Sequence, residues 1–254
     1  MTSSTLDPAL LKRLQELSSR CERQQQVIST DFLDAETVAR IRTAHSVISQ
    51  ERTVFSGGYD GAERQALFFL PDWLEKDAFL SEDSLHLLKI TPAEPTGLSH
   101  RDYLGSLLSL GIRREKTGDI LVQPDHAQLI VFPELIPYLT SNLTHIGRTS
   151  ARVEEIPFSA LTLPEKHTTT FTRTVASLRC DSVLSAAFSL SRGDAAEAMK
   201  KGLVSIDHLP EEKPDRPVKN GCLLSVRGMG RARMETEHTQ SRKGRIFIRI
   251  IREE

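Results

Sequence analysis

The stretch from Arg179 to Ile206 constrains the fold more than any other part of the chain. It is two short helices, sharply separated, that run directly into a strand. In Arg179-Cys180-Asp181-Ser182-Val183-Leu184 and the residues after it, Val183, Leu184 and Ala187 recur at near-helical spacing, and Phe188 and Leu190 extend the apolar side. Ser191 stands where its hydroxyl can accept the orphan amides of the next helix, and Asp194 adds favourable charge to that first turn. Gly202 follows Lys200 and Lys201, which places cations at the helix end and a glycine just beyond it. Leu203-Val204-Ser205-Ile206 then alternates as a strand. A turn at Asn220-Gly221 precedes a second strand, Leu223-Leu224-Ser225-Val226.

In that order, Arg179, Asp181, Leu184, Ser191, Arg192, Ala195, Gly202, Val204, Val218 and Gly221 resemble the S4-type (αL-like) RNA-binding domain, named after a small-subunit ribosomal protein. Two positions depart from the pattern: Cys222 replaces an acid after the glycine, and Asp207 stands where Asn is common. The basic residues are kept.

Charge supports the same segment. The whole chain balances at −1, but residues 171–254 hold 16 Lys/Arg against 11 Asp/Glu, while the preceding residues hold 17 against 23. Between Arg216 and Arg252 there are ten basic residues and two acids, Glu235 and Glu237. A basic run on its own is most simply a solvated face. One that overlaps an RNA-binding pattern is a footprint for a polyanion. The residues expected to face phosphate are Arg179, Ser191, Arg192, Lys200 and Lys201 on or beside the helices, and Arg227, Arg231 and Arg233 on the Gly228/Gly230 loop. Arg242, Lys243 and Arg245 lead into the alternating strand Ile246-Phe247-Ile248-Arg249-Ile250. Arginine suits this role because its planar fork grips phosphate bidentately.

Asp7-Pro8 reads as an N-cap and first helical residue, opening a helix to about Arg23. A second helix is expected near Asp34, with Val38, Ile41, His45 and Ile48 on one side, which makes residues 1–70 a small α-rich N-terminal unit. Ser56-Gly57-Gly58-Tyr59-Asp60-Gly61-Ala62-Glu63-Arg64 lacks a Gly-Lys-Ser/Thr ending and reads as a tight, exposed turn. From Ser84 to Phe158 the order is β-α-β-β-α-β, the ferredoxin-like (RRM-like) arrangement, which places a central domain over residues 71–165 of an α+β protein. Its central strands offer a single aromatic, Phe132, so no base-stacking platform is evident. Arg113, Arg114 and Lys116 sit between Gly111 and Gly118 on a loop where they can reach phosphate, tempered by Glu115 and Asp119. Pro157 to Thr174 reads as a linker, or its Thr-rich part as an added strand, ahead of a C-terminal domain over residues 175–254.

Several classes are set aside. No apolar run approaches the ~20 residues needed to span a bilayer, and the N-terminus lacks a basic region followed by an apolar stretch. Cys21, Cys180 and Cys222 are odd in number and outside any zinc spacing, as in a cytoplasmic protein with reduced thiols. His100-Arg101-Asp102 has none of the partners of a kinase loop. No catalytic residue, metal ligand or cofactor is assigned, and a non-enzymatic protein is expected.

Three separated segments, Ser56–Arg64, His100–Ile120 and Val226–Arg231, also resemble the YlmH-like proteins, a bacterial family that ends in an S4-type domain. That resemblance implies a ribosome-associated factor in translation quality control, with large-subunit ribosomal RNA and transfer RNA as partners. Some members are linked to cell division or to photosystem II. Two other readings stay open: a protein adaptor that docks a partner through its acidic N-terminal unit, and an accessory to an RNA-modifying enzyme.

Overall fold

The computed structural model describes residues 6–44, 52–94, 97–165, 167–240 and 244–253. The chain divides into two compact units, Met1–Pro164 and Glu165–Glu254. It is a mixed α/β protein with antiparallel sheets throughout.

The first unit opens with α1 (Pro8–Gln24), whose N-cap Asp7 accepts the Ala9 amide at 3.0 Å, as the Asp-Pro pair predicts. Next come β1 (Ile28–Ser29) and α2 (Ala35–Thr43), the latter capped by Asp34 through the Thr37 amide. The helix leaves αR geometry at Ala44 (φ −86°, ψ 55°), so Val38 and Ile41 form its buried side. His45 and Ile48 lie outside the described residues. β2 (Thr53–Ser56) and β3 (Ala66–Phe69) complete a three-stranded sheet in the order β1-β3-β2. The segment expected to be α-rich is therefore mixed, because a two-residue strand leaves no periodicity to read. Leu14, Cys21 and Ile41 pack against Leu67 and Phe69 on one face of β3. The other face, Ala66 and Phe68, joins Phe32, Leu85, Leu87, Ile130 and Phe132 in a core shared with the following sheet.

That sheet contains β4 (His86–Pro92), β5 (Thr117–Val122), β6 (Ala127–Val131), β7 (His145–Ile146) and β8 (Thr149–Ile156), ordered β5-β6-β4-β8-β7. Two helices, α3 (His100–Ser109) and α4 (Ile136–Asn142), contribute Tyr103, Leu107 and Leu139 to its core. Ser99 and Asp102 form a reciprocal capping box at the start of α3. Phe132 is core, 5.0 Å from the Phe32 ring centroid.

The Ser56–Arg64 segment is not an exposed turn. Gly57 and Ala62 are buried, and the Asp119 carboxylate on β5 accepts the Tyr59 hydroxyl at 2.8 Å and the Glu63 and Arg64 amides at 2.7 and 3.1 Å. A carboxylate some sixty residues away in sequence fastens the segment down, a contact that no local pattern reports. Gly58 needs its freedom: its φ is +91°, and a Cβ there would meet the Phe158 ring at 2.7 Å.

The second unit begins with β9 (Thr168–Val175), which pairs along its whole length with β14 (Ile246–Glu253). The threonine-rich run is thus an edge strand rather than a linker. Between them come α5 (Cys180–Phe188), α6 (Arg192–Lys200), β10 (Val204–Ile206), β11 (Leu209–Pro210), β12 (Leu223–Val226) and β13 (Gly230–Gln240). The six strands run β11-β10-β12-β13-β14-β9. Val183, Leu184, Ala187 and Phe188 of α5 and Ala195 and Met199 of α6 pack with Ala232, Met234, Ile248 and Ile250, so both helices cover one face of the sheet. Burial of these side chains contributes on the order of 1.5–3 kcal/mol each for the larger ones.

Candidate nucleic-acid interface

The two-helix element is organised by Asp181. Its own amide donates to Pro214 O at 3.0 Å, and the Cys180 amide donates to Arg216 O at 2.8 Å, so a neighbouring loop satisfies amides at the start of α5. Glu211, 2% exposed, steadies that loop by pairing with Arg216 and accepting the Lys213 amide at 2.9 Å. The Asp181 side chain, 8% exposed, then accepts Ser182 N at 2.8 Å, Arg179 Nε and Nη2 at 3.2 and 3.3 Å, and Arg192 Nη2 at 2.7 Å. Burial alone would push this carboxyl up, but hydrogen bonds from Arg179 and Arg192 outweigh it and hold the group below its ordinary value.

Arg179 grips the carboxylate with a fork, and Arg192 meets one of its oxygens from the first turn of α6. A cation there opposes the helix dipole, and Asp181 and Asp194 offset it. Two guanidiniums share this one carboxylate, and Asp215, whose charge also acts on Arg179, lies near the pair. The side chains of Arg179 and Arg192 are 43% and 60% exposed. Lys200 is exposed and makes no ion pair among the described residues; it lies about 12 Å further along α6 at 1.5 Å per residue. Lys201 is exposed and pairs with Glu197 at 2.5 Å. The Ser191 hydroxyl is occupied by the helix itself, accepting Asp194 N at 3.1 Å and donating to Asp194 Oδ2 at 2.7 Å.

The remaining expected contacts do not all join this cluster. Arg227 projects from the turn between β12 and β13, where Gly228 adopts φ +84°. Arg231 and Arg233 alternate with the core residues Ala232 and Met234, so they stand on the sheet face away from the helices. Arg231 lies opposite Glu253 and Ser225, and Arg233 Nη1 donates to Gly221 O at 2.9 Å. Arg245 reaches back to Thr174 O at 2.8 Å. Arg242 and Lys243 lie outside the described residues. The two departures from the S4 pattern are structural: Cys222 is core, and Asp207 Oδ1 accepts the Leu223 amide at 2.8 Å beside a positive-φ pair, Asp207-His208.

In the first unit the expected loop is a 3-10 turn, Arg114–Lys116, and only Arg113 faces outward, paired with Glu115 at 3.2 Å. Lys116 is held by Asp31 at 2.7 Å, and Arg114 Nη1 donates to Thr117 O and Oγ1 and to Gly118 O, all at 2.8 Å. The expectation that Lys116 reaches phosphate is corrected by its pair with Asp31, whereas Arg114 is anchored inward through Nη1 alone. Sequence reasoning also missed Asp181 as the orienting group, although its position two residues after an arginine was the available signal.

Burial pushes the Cys180 thiol up to about 12 and the Cys222 thiol up to about 11, which disfavours the reactive thiolate at both. Among the described residues no cluster of His, Cys, Asp and Glu has the makings of a metal site, and no helix is long and apolar enough to cross a membrane.

Comparison with known proteins adds three findings. The family model described as "Putative RNA-binding domain in YlmH" matches residues 81–160, within the first unit. The chain is 30% identical over 236 residues to "Ribosome-associated protein quality control protein P2" of Bacillus subtilis, spanning 91% of this chain and 90% of that protein. A solved structure, "Cell division protein ylmH from Streptococcus pneumoniae", aligns with a TM-score of 0.49 and 19% identity, over 63% of this chain and 98% of that one.

Proposed function

The chain belongs to the YlmH family, and from that premise we propose that it is a non-enzymatic, cytoplasmic RNA-binding factor that associates with the ribosome. The relative from Bacillus subtilis is named for protein quality control at the ribosome, and we carry that role over to this chain. Its ligands are structured RNAs, large-subunit ribosomal RNA and transfer RNA, read by shape and backbone rather than by base sequence.

The carrying observation is the Asp181-held pair of arginines at the head of the two-helix element, with Lys200, which makes no ion pair among the described residues, at the end of the helix that Arg192 opens. Such a unit presents guanidinium forks already oriented, which lowers the ordering cost of gripping phosphate. We read the second unit as an S4-type domain and the β5-β6-β4-β8 sheet, with α3 and α4, as ferredoxin-like. The test is sedimentation with purified large ribosomal subunits at low salt. The wild-type chain co-sediments, and Arg192→Ala combined with Lys200→Ala releases it. Retention of the double variant at wild-type levels across a salt series refutes the assignment.

A further inference from the structure

A second cationic arrangement lies in the first unit, where the glycine-rich segment crosses β5. Asp119 is buried, and its oxygens are filled by the Tyr59 hydroxyl and the Glu63 and Arg64 amides. Neither neighbouring guanidinium is hydrogen-bonded to that carboxylate. Arg64 instead sends Nε to Thr117 O at 3.2 Å and Nη2 to Phe32 O at 2.9 Å. Arg114 sends Nη1 to the same Thr117 O at 2.8 Å. Two half-buried guanidiniums therefore converge on one carbonyl oxygen, bound by neutral acceptors alone. Arg64 Nη1 and Arg114 Nε and Nη2 have no partner among the described residues.

The electrostatics agree with this geometry. Burial, and after it the charge of Arg64, brings Arg114 down to about 10 against the opposing charge of Asp119, and burial lowers Arg64 although Asp34, Asp119 and Glu115 act in the other direction. Two like charges held together, with donors to spare and no hydrogen-bonded anion, are completed by a tetrahedral oxyanion, whose oxygens match the guanidinium fork.

We propose that Arg64 and Arg114 together form a phosphoryl-oxyanion site in the first unit. It takes a phosphate group, whether from a nucleic-acid backbone or from a free nucleotide. It is independent of the arginines held by Asp181, and it stands whether or not the second unit binds RNA.

The test uses the wild-type full chain labelled with 15N at arginine, reading the assigned Nε–H resonances near pH 7 at fixed ionic strength. Inorganic phosphate, adenosine monophosphate and a duplex RNA are titrated in turn, with sodium chloride as control. Arg64 and Arg114 are expected to shift together and saturate with phosphate but not with chloride. If the source is nucleic-acid backbone, RNA saturates them at a roughly hundredfold lower concentration than phosphate, because adjoining phosphates add contacts. If the source is a free nucleotide, adenosine monophosphate saturates them and RNA leaves them still. The site is overturned if none of the three moves this pair, or if every exposed arginine drifts alike without saturation. Arg179 and Arg192 report in the same spectra. Their response to RNA without one from Arg64 and Arg114 refutes this site and leaves the proposed function intact.

Discussion

Replacing Asp181 by Asn separates two ideas about why the two-helix element would bind RNA: net charge and orientation. The substitution keeps an oxygen for the Ser182 amide but removes the carboxylate that holds Arg179 and Arg192 at 2.7–3.3 Å. Both arginines are largely solvated, so each lost pair counts as a partly exposed one, worth about 0.2–1 kcal/mol. The expected destabilisation is about 0.4–2 kcal/mol, or roughly 2–16 °C in the melting transition of a unit this size. For RNA the two effects oppose each other. Deleting a negative charge about 7 Å from a bound phosphate gains about 0.6 kcal/mol in water. Freeing two arginines that must be re-immobilised costs about 0.5–1.5 kcal/mol each. The ordering cost wins, and affinity for a structured RNA falls by about 0.4–2.4 kcal/mol, roughly 2- to 60-fold. Fluorescence anisotropy at two salt concentrations, below the melting temperature of the variant, measures it. Tighter binding at both salts would mean that charge alone matters, and the orienting role of Asp181 would be abandoned.

Because hydrogen bonds hold the Asp181 carboxyl below its ordinary value of 3.8, its contribution to stability is present at neutral pH and is lost as pH falls below about 4 through the native value. Carbon NMR of the side chain checks this, and a native midpoint at or above 3.8 contradicts it. Asp119→Asn leaves three donors competing for one remaining oxygen, with an expected loss of about 2–4 kcal/mol in the first unit by denaturant titration; a change under 0.5 kcal/mol would show that the glycine-rich segment is held by something else. Gly57→Ala places a methyl group against Arg64 O and Ala62 Cβ, and it should lower soluble yield and cost at least about 2 kcal/mol. In the native chain Cys180 and Cys222 should resist alkylation at pH 8 and react only after unfolding; prompt labelling of either would contradict their burial.

Local signals were legible where the cause was local. Asp7-Pro8 opens α1, Ser191 caps α6, and the alternation of Ile246 to Ile250 marks a strand. Other features depended on partners far away in sequence. The glycine-rich segment reads as an exposed turn until Asp119 is seen to bind it. Arg114 and Lys116 read as outward cations until Thr117 O and Asp31 are placed beside them. Thr168–Val175 carries no apolar alternation because only one of its edges is paired and its face is solvated; β14 decides that it is a strand. The candidate site was legible as a set of residue types. Its division between the helix pair and the opposite sheet face followed only from the parity of β13 about Ala232 and Met234.

The position of β14 has a consequence for synthesis. Of the six strands in its sheet it comes latest in sequence, yet it lies inside, bonded to β13 on one side and β9 on the other. While the polypeptide is being made, β9 therefore waits through the production of the whole unit with no neighbour to bond, and two strand edges stay open until residues 246–253 emerge. A nascent chain halted before that point would hold the two helices but not the closed sheet, leaving its basic residues on an unfinished scaffold.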